Sequence, residues 1–367
     1  MPVVLIGYER YEDVSFEVVI TSTSLLIPAL PKDKSHHVES IVLVTGGTGL
    51  LGSHLIAQLL ATDKYIIRGT ARSAQKLRDI FPNEPRLEVF EIPDWSSDHT
   101  EVLKGVQAVQ HLAAPLFYNK VENGEVLFNG VYGGALHIVK QALAAGIKKI
   151  TYTGTYAALF ELHPANRFRA DRPLNEMSFG NVRKDLNIKE VISDEESLKV
   201  LYIAAKIIGD KDTWEIAHQH PDVDVTVRPV VPNFPVISRT SLSTNDYVYQ
   251  LILNGPDTYP PVSVGDLVDV RDMARAHVLA LLIPGKDKRF IVSGGKYHWK
   301  EIGDLIRRER PEVAHRLSRE DVKPMEQTVS PIDLTFTEKE LGITEYHGWE
   351  ESALAALDCG LMLEREN

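Results

Sequence analysis

The segment 45–52, which reads TGGTGLLG, constrains the fold of this chain more than any other part of the sequence. It lies between a short apolar strand pattern at 41–44 and a helical pattern at 51–60. Its glycines fit both the TGxxGxxG and the GxGxxG spacing, and glycine permits the positive φ angles of a tight turn. A strand, a glycine-rich turn and a helix in this order predict the beginning of a βαβ unit.

This turn also predicts a site for a dinucleotide. Glycines let the backbone come close to a pyrophosphate, which the helix N-terminus stabilises through its free N–H groups and its dipole. We therefore expect Gly46, Thr48, Gly49, Leu50 and Leu51 to bind the cofactor. The alternative is a plain strand-to-helix turn with no ligand.

The alternation of strand and helix patterns continues to about residue 230 and favours a parallel sheet. Further strands are predicted at 65–70, 87–92, 108–112, 149–153 and 223–228, and helices at 134–145 and 195–219. Beyond this point prolines weaken the alternation, with helices predicted at 271–282 and 299–308 and a strand at 289–292. The predicted fold class is α/β: a doubly wound Rossmann sheet with helices on both faces and a smaller C-terminal substrate lobe.

The residues after the second strand bear on the choice of cofactor. NAD-binding loops usually carry an Asp or Glu there, which accepts a hydrogen bond from the ribose 2′-hydroxyl. This chain has Arg72 and, shortly after it, Lys76, with no carboxylate in this stretch. A guanidinium favours a 2′-phosphate, so we expect NADPH or NADP rather than NADH. The alternative is that Arg72 is a solvated surface charge.

Two further strand ends add candidate cofactor residues. Asp94 follows the third strand and is expected near the adenine. Ala113 and Ala114 follow the fourth strand and have small side chains, where the backbone could approach the cofactor. All the predicted contacts thus lie where strands end, as the fold requires.

Three regions are predicted along the chain. Residues 1–40 form an N-terminal extension of unknown role, with a strand at 14–20. Residues 41–230 form the NADP-binding Rossmann domain. Residues 231–367 form mainly a substrate-binding lobe, with helices that return to the Rossmann domain.

Composition excludes several classes of function. The net charge of −11 argues against general binding of DNA or RNA, which needs a basic excess. No run of about 18 apolar residues could span a membrane, and the N-terminus lacks the basic and apolar pattern of a signal peptide. The single cysteine, Cys359, fits a reducing compartment, so we expect a cytoplasmic protein. The 13 histidines have no metal-binding spacing, and no metal is expected.

Tyr202 and Lys206 form a YxxxK pattern on the helix predicted at 195–219. The i, i+4 spacing places both side chains on one face of the helix. An ammonium near a phenol stabilises the phenolate, so the tyrosine can give a proton to a carbonyl oxygen as hydride arrives at the carbon. The alternative is a buried tyrosine beside a lysine that extends to solvent.

A third catalytic group is expected at the end of the fifth strand, where a hydroxyl could hold a substrate carbonyl. Thr155 is the favoured residue, and Thr153 is its competitor. Alternate residues on a strand share a face, so geometry alone does not separate the two.

Together these motifs resemble the extended short-chain dehydrogenase/reductase superfamily, of the NAD-dependent epimerase/dehydratase type. The closer likeness is to its dihydroflavonol reductase-like branch, which includes fungal methylglyoxal and carbonyl reductases. Beyond the glycine loop and the YxxxK pattern, three stretches carry the resemblance: GTARSAQK at 69–76, TGTYAAL at 153–159 and VDVRDMARAH at 268–277. The match begins at about residue 41 and leaves residues 1–40 uncovered.

The resemblance implies a catalytic triad of Ser or Thr, Tyr and Lys with a nicotinamide cofactor. It assigns Tyr202 as the acid and Lys206 as the residue that holds the ribose and tunes the tyrosine. Thr155 falls at the position of the family's catalytic serine. Pro229 and Val231 lie in the segment expected to flank the nicotinamide.

This chain departs from the family pattern at two places. The usual pair of serines is Gly154 and Thr155 here, and Ala205 replaces the small polar residue before the catalytic lysine. Threonine keeps the hydroxyl, so the mechanism survives. Its extra methyl group crowds the site, and the effect on activity is open.

Three functions are weighed against each other. The leading hypothesis is an NADPH-dependent oxidoreductase, a ketoreductase in the broad sense, that acts on a small-molecule aldehyde or ketone as a monomer or homodimer. The second is a nucleotide-sugar epimerase or dehydratase. Such dehydratases place an Asp–Glu pair directly after the catalytic threonine, where this chain has Tyr156 and Ala157. The third is a non-catalytic NADP-sensing regulator, which would typically lack the tyrosine or the lysine.

Overall fold

The computed structural model describes residues 4–8, 16–20, 40–115, 123–160, 173–182, 195–228, 233–234, 246–260, 266–283, 288–324 and 330–365. The chain forms two compact units. The first consists of Met1–Thr153, Asn187–Val227 and Ala274–Lys288, and the second of Gly154–Leu186, Arg228–Met273 and Arg289–Asn367. The domain boundaries placed at 40 and 230 by the sequence stay a prediction.

The strands begin with an antiparallel pair, β1 (Val4–Tyr8) and β2 (Phe16–Ile20). The remaining strands are β3 (Ser40–Thr45), β4 (Tyr65–Ala71), β5 (Leu87–Glu91), β6 (Val106–His111), β7 (Lys149–Thr153), β8 (Asp224–Arg228), β9 (Asn233–Phe234), β10 (Asp266–Asp269), β11 (Lys288–Arg289) and β12 (Gly295–Lys296).

The helices are α1 (Leu50–Ala61), α2 (Ala74–Ile80), α3 (Thr100–Leu103), α4 (Gly124–Phe128), α5 (Gly134–Ala144), α6 (Glu195–Gln219), α7 (Asp246–Gln250), α8 (Val270–Leu282), α9 (Trp299–Glu309), α10 (Thr335–Leu341) and α11 (Trp349–Arg365). A π-helical turn, Asn129–Gly133, joins α4 to α5, and 3₁₀ turns occur at Tyr156–Leu159 and Pro311–Arg316.

The large sheet has the strand order β5-β4-β3-β6-β7-β8, with the two-residue β11 beyond β8. The pairings from β5 to β7 are all parallel. Within this sheet the chain enters at β3, adds β4 and β5 on one side, and then crosses to β6 on the other side of β3, so the strand order reverses there. Ligands of doubly wound sheets bind at such a reversal, outside the carboxyl ends of the strands. The predicted fold class is confirmed.

The strand β3 shows why this sheet forms. Val42 and Val44 point to one face and pack with α1, α2 and α8, whereas Leu43 points to the other and packs with α5 and α6. All three are at most 1% exposed. A strand that is buried on both faces reads as a continuous apolar run, as this one does.

The second unit has a smaller, mixed sheet. Its strand β10 pairs parallel with β9 and antiparallel with β12. Helices α7, α9 and α11 enclose a core around the fully buried Trp299. Within the described ranges, no helix is long and apolar enough to cross a membrane, and no group of His, Cys, Asp or Glu side chains could hold a metal ion.

The prediction for this part of the chain is corrected at one strand and missed one helix. The strand expected at 289–292 is reduced to Lys288–Arg289, because the next residues leave the sheet to pack as buried loop. The helix Trp349–Arg365 was not predicted, although Ala353, Ala356, Leu357 and Leu361 have helical spacing and are buried.

Candidate active site

The loop between β3 and α1 packs tightly against itself and against the end of β6. Gly46 has a φ of 72°, which residues other than glycine rarely adopt. A Cβ at this position would lie 3.1 Å from the backbone of Ala113. A Cβ at Gly52 would overlap the carbonyl oxygen of Gly46. These two glycines are therefore required by the close approach of the loop, the first helical turn and the neighbouring strand end.

This packing leaves the N-terminus of α1 open. Gly49 is the N-cap residue and offers no side chain to the helix end, and the first turn carries no acidic residue. Gly49 is exposed, and Thr48, Leu50 and Leu51 are half-buried beside it. Free backbone N–H groups at a helix N-terminus bind anions, so this loop fits the pyrophosphate of a dinucleotide.

Thr45, the last residue of β3, joins this strand to the end of β6. Its Oγ1 accepts hydrogen bonds from the backbone N–H groups of Leu112, at 3.0 Å, and Ala113, at 3.1 Å. Its own hydrogen is then directed to Nδ1 of His111, 2.8 Å away. Burial lowers the pKa of His111 to about 3, and the charge of Lys206 acts in the same direction. The ring is thus neutral, and its Nδ1 can accept a hydrogen bond from the Thr45 hydroxyl, which fixes both strand ends beside the glycine loop.

The strand ends at β5 and β6 carry three more predicted cofactor residues. Asp94 is exposed, and its Oδ1 accepts hydrogen bonds from the Ser96 hydroxyl, at 2.6 Å, and the Ser96 backbone N–H, at 2.8 Å. These bonds lower the pKa of Asp94, so the carboxylate is ionised and its direction is fixed. Ala113 is exposed and Ala114 is half-buried, so both leave their backbone accessible.

The loop between β4 and α2 carries the predicted contacts to a 2′-phosphate. Arg72 and Lys76 are both exposed, and Ser73 caps α2 by accepting a hydrogen bond from the Lys76 backbone N–H at 3.4 Å. A carboxylate that the local sequence did not reveal lies at the same helix end. Glu91, on β5, accepts a hydrogen bond from the Ala74 backbone N–H at 3.1 Å. The start of α2 therefore has two cationic side chains, Arg72 and Lys76, and the carboxylate of Glu91 beside it.

Tyr202 and Lys206 lie one turn apart on α6, and Lys206 is only 4% exposed. Its Nζ donates to the carbonyl oxygen of Thr153 at 3.4 Å and lies 5.3 Å from the centre of the Tyr152 ring. Burial lowers the pKa of Lys206 to about 8, while the charge of Asp210 raises it. The ammonium is thus held at the end of β7, and a modest change of pH removes its charge.

The structure distinguishes the two threonines that the sequence left as competitors. Thr153 Oγ1 lies 3.4 Å from Nε2 of His277, whose Nδ1 lies 2.8 Å from Oε1 of Gln110. Because the Gln110 oxygen can only accept, Nδ1 of His277 donates to it. In the neutral ring Nε2 then accepts the hydrogen of Thr153. No local pattern reveals this chain of contacts, since Gln110 and His277 are 167 positions apart.

Thr155 has a different environment, in the second unit. It is half-buried and caps the 3₁₀ turn Tyr156–Leu159, where its Oγ1 accepts a hydrogen bond from the Ala157 backbone N–H at 3.4 Å. The Ala158 N–H bonds to the Thr155 carbonyl oxygen at 2.9 Å. Because the hydroxyl accepts in this turn, its own hydrogen remains available to donate. The predicted residues Pro229 and Val231 lie outside the described residues.

The strand order, the open helix N-terminus after a glycine loop and the Tyr–Lys pair on α6 together define a dinucleotide-binding Rossmann protein. The chain belongs to the NAD dependent epimerase/dehydratase family, whose model matches residues 42–292. The family resemblance predicted from the motifs is confirmed.

Several known proteins are similar over most of this chain. The NADPH-dependent methylglyoxal reductase GRE2 of Saccharomyces cerevisiae is 27% identical over 295 residues, which is 74% of this chain and 82% of that protein. The ketoreductase azaE of Aspergillus niger is 27% identical over 329 residues, covering 83% of this chain and 92% of its own. A crystal structure of the yeast methylglyoxal/isovaleraldehyde reductase Gre2 complexed with NADPH has a TM-score of 0.76 at 21% identity and covers 89% of this chain and 100% of its own.

Proposed function

We propose that this chain is an NADPH-dependent oxidoreductase that reduces an aldehyde or ketone to an alcohol. The observation that carries the proposal is the buried Lys206 on the same helix face as Tyr202, held at the end of β7 by the Thr153 carbonyl. The relatives named above are reductases of carbonyl compounds, which supports the same reaction class.

The residues of the first unit account for cofactor binding. Gly46, Gly49 and the first turn of α1 would hold the pyrophosphate, and Asp94 would accept a hydrogen bond from the adenine. Arg72 and Lys76 would hold the 2′-phosphate, and Glu91 would oppose it with the carboxylate that bonds to the Ala74 N–H. When bound, NADPH would supply the hydride that reaches the carbonyl carbon.

The family resemblance implies that Tyr202, Lys206 and Thr155 act on the carbonyl oxygen. The Tyr202 hydroxyl donates its proton to this oxygen, and the Lys206 ammonium stabilises the phenolate that remains. The Thr155 hydroxyl accepts from Ala157 and donates to the same oxygen, so it shares the charge that develops there. The family resemblance implies that Pro229 and Val231 would flank the nicotinamide.

Two other functions are less well supported. A dehydratase needs an acid and a base after its threonine, and Tyr156 is instead buried, with its hydroxyl bonded to a carboxyl group. A non-catalytic sensor of NADP would not need Lys206 buried with its charge at the end of β7, because burial of a charge costs stability.

The substrate is a small carbonyl compound, and no nucleic acid or membrane takes part. The single cysteine, Cys359, supports a reducing compartment, and we place the protein in the cytoplasm on that ground. Whether it acts as a monomer or a homodimer stays a prediction with both outcomes open.

A panel of carbonyl compounds tests the proposal. Methylglyoxal, isovaleraldehyde and a set of aromatic and aliphatic ketones are incubated with the protein and NADPH, and the loss of NADPH absorbance is measured together with the alcohol formed. We expect at least one compound to be reduced by the wild type and not by Tyr202→Phe. Equal rates for both proteins, or no reduction of any compound, would contradict the proposal.

A further inference from the structure

A buried acid lies beside the turn that Thr155 caps. Asp266, the first residue of β10, is 3% exposed, and its Oδ2 lies 3.3 Å from the hydroxyl of Tyr156, which is 1% exposed. A carboxylate accepts only, so the phenol donates to it. These residues are 110 positions apart, and both belong to the second unit.

The charge on Asp266 is kept at a cost to stability. Burial raises the pKa of Asp266 to about 6, although the Tyr156 hydrogen bond and the charge of Lys296 both lower it. Lys296 lies directly across the β10–β12 pairing and is exposed. The other charged residue of β10, Asp269, is already paired with Arg271. Because the folded pKa lies above the unfolded value, ionisation of Asp266 lowers folding stability as the pH rises from about 4 to about 6.

Tyr156 connects this acid to Thr155. It is the first residue of the 3₁₀ turn, and its ring packs edge-on against Phe160, with 4.6 Å between the centroids. Burial, together with the nearby Asp266, raises the pKa of the Tyr156 phenol, so it stays a hydrogen-bond donor. A second anchor of the turn is the Gly180 N–H, which donates to the Ala158 carbonyl at 2.7 Å. The side chain of Tyr156 thus fixes the turn at the residue next to Thr155.

We propose that Tyr156 and Asp266 are a positioning pair that holds the Tyr156–Leu159 turn and thereby the direction of the Thr155 hydroxyl. The inference rests on the proposed function, since it assigns Thr155 a role in turnover. With Asp266 ionised the hydrogen bond is charge-assisted, and therefore stronger than with the neutral acid. Protonation of Asp266 below about pH 6 weakens the bond and loosens the turn.

Two variants test the pair. Tyr156→Phe removes the donor and should lower kcat about tenfold while the Kd for NADPH is unchanged, because small misplacements of a catalytic group are costly. Asp266→Asn has no charge and so resembles the protonated acid: its kcat at pH 7.5 should be about threefold lower, at the level that the wild type reaches below about pH 6, and the fall of kcat below about pH 6 should disappear. Tyr249→Phe, which removes another buried tyrosine hydroxyl in the same unit, is the matched control and should leave kcat unchanged.

A readout without turnover separates this inference from the proposed function. Amide hydrogen exchange of the Ala157 and Ala158 N–H groups is measured in the protein without cofactor at pH 7.5. Exchange should be faster in Tyr156→Phe than in the wild type and unchanged in Tyr249→Phe. If exchange and kcat of Tyr156→Phe both match the wild type, the pair does not position Thr155. The same conclusion follows if the kcat of Asp266→Asn still falls below about pH 6. If no carbonyl compound is reduced, the proposed function fails while the exchange experiment still decides whether the pair holds the turn.

Discussion

The strands that form the large sheet from β3 to β8 have five to seven residues, whereas the three strands of the small sheet in the second unit have two to four. In the first unit the candidate residues follow regular elements: the glycine loop comes after β3, and Tyr202 and Lys206 lie on one helix. In the second unit Thr155 depends on a single 3₁₀ turn and on side chains far away in the sequence.

This difference predicts which property each unit controls. The first unit carries most of the predicted cofactor contacts and the proton donor, on a sheet whose strand β3 is buried on both faces. The second unit carries Thr155 on a short turn, which is easier to disturb. Variants in the first unit should therefore change cofactor affinity or abolish the chemistry, and variants at the turn should change turnover while cofactor affinity stays the same.

The largest effect is expected for Tyr202→Phe. Removal of a general acid typically lowers the rate about 10²–10⁴-fold, and the ring itself is kept, so the protein should fold and bind NADPH as the wild type does. Turnover of a reduced carbonyl substrate and the Kd for NADPH are measured together. Rates close to those of the wild type would make Tyr202 a structural residue only.

The next effect is expected at the turn. Thr155→Ala removes a hydrogen-bond donor to the developing charge and should lower kcat about 10²–10³-fold with NADPH affinity unchanged. Thr155→Ser should keep or raise activity, because it preserves the hydroxyl and removes the β-methyl group.

Thr153→Ala is the matched control for this series. Its hydroxyl is directed to His277 within the first unit, so turnover should change little by comparison. Turnover of all three variants with one substrate decides the assignment. If Thr153→Ala lost turnover and Thr155→Ala kept it, Thr153 rather than Thr155 would be the catalytic threonine.

A smaller effect is expected for cofactor choice. Arg72→Ala removes a charge-assisted contact and should weaken NADPH binding by about 1.5–3 kcal/mol, with NADH almost unchanged. Glu91→Gln removes the carboxylate at the same helix end and should change NADPH affinity in the opposite direction. Titration calorimetry with both cofactors measures these affinities. Equal affinity of the wild type for NADPH and NADH would exclude the predicted phosphate site.

The decrease of the rate at alkaline pH should be set by Lys206. Its pKa of about 8 means that kcat/KM for reduction falls as the pH rises through about 8, about tenfold per pH unit at most. The free energy of unfolding, in contrast, should increase as the pH rises over this range. The folded pKa lies below the unfolded value of 10.5, so the cost of burying the charge is relieved as the pH rises from about 8 to 10.5.

Rate profiles and urea denaturation over this range measure both trends. Lys140→Met, at an exposed lysine on α5, should leave the rate profile unchanged. A wild-type rate that stays constant up to pH 10 would show that the Lys206 charge is not needed.

The local sequence predicted the first unit more fully than the second. The helix Glu195–Gln219 has the predicted bounds, and the strands β3 to β8 agree with their predictions to within two residues, because period and turn chemistry determine them. The roles of Gln110, His277 and Asp266 could not be predicted, since each depends on a contact more than 100 positions away. Glu91 was missed for a related reason: it reaches α2 from the neighbouring strand.

The most direct test of the central claim is transfer of hydrogen from the cofactor to the substrate carbon. The wild type is incubated with a carbonyl compound from the panel and NADPH that carries deuterium at the transferable C4 position, and the alcohol is analysed by mass spectrometry. The proposed reaction places one deuterium on the carbinol carbon of the alcohol. An alcohol without deuterium, or one formed equally well without NADPH, would contradict the claim that this chain is an NADPH-dependent carbonyl reductase.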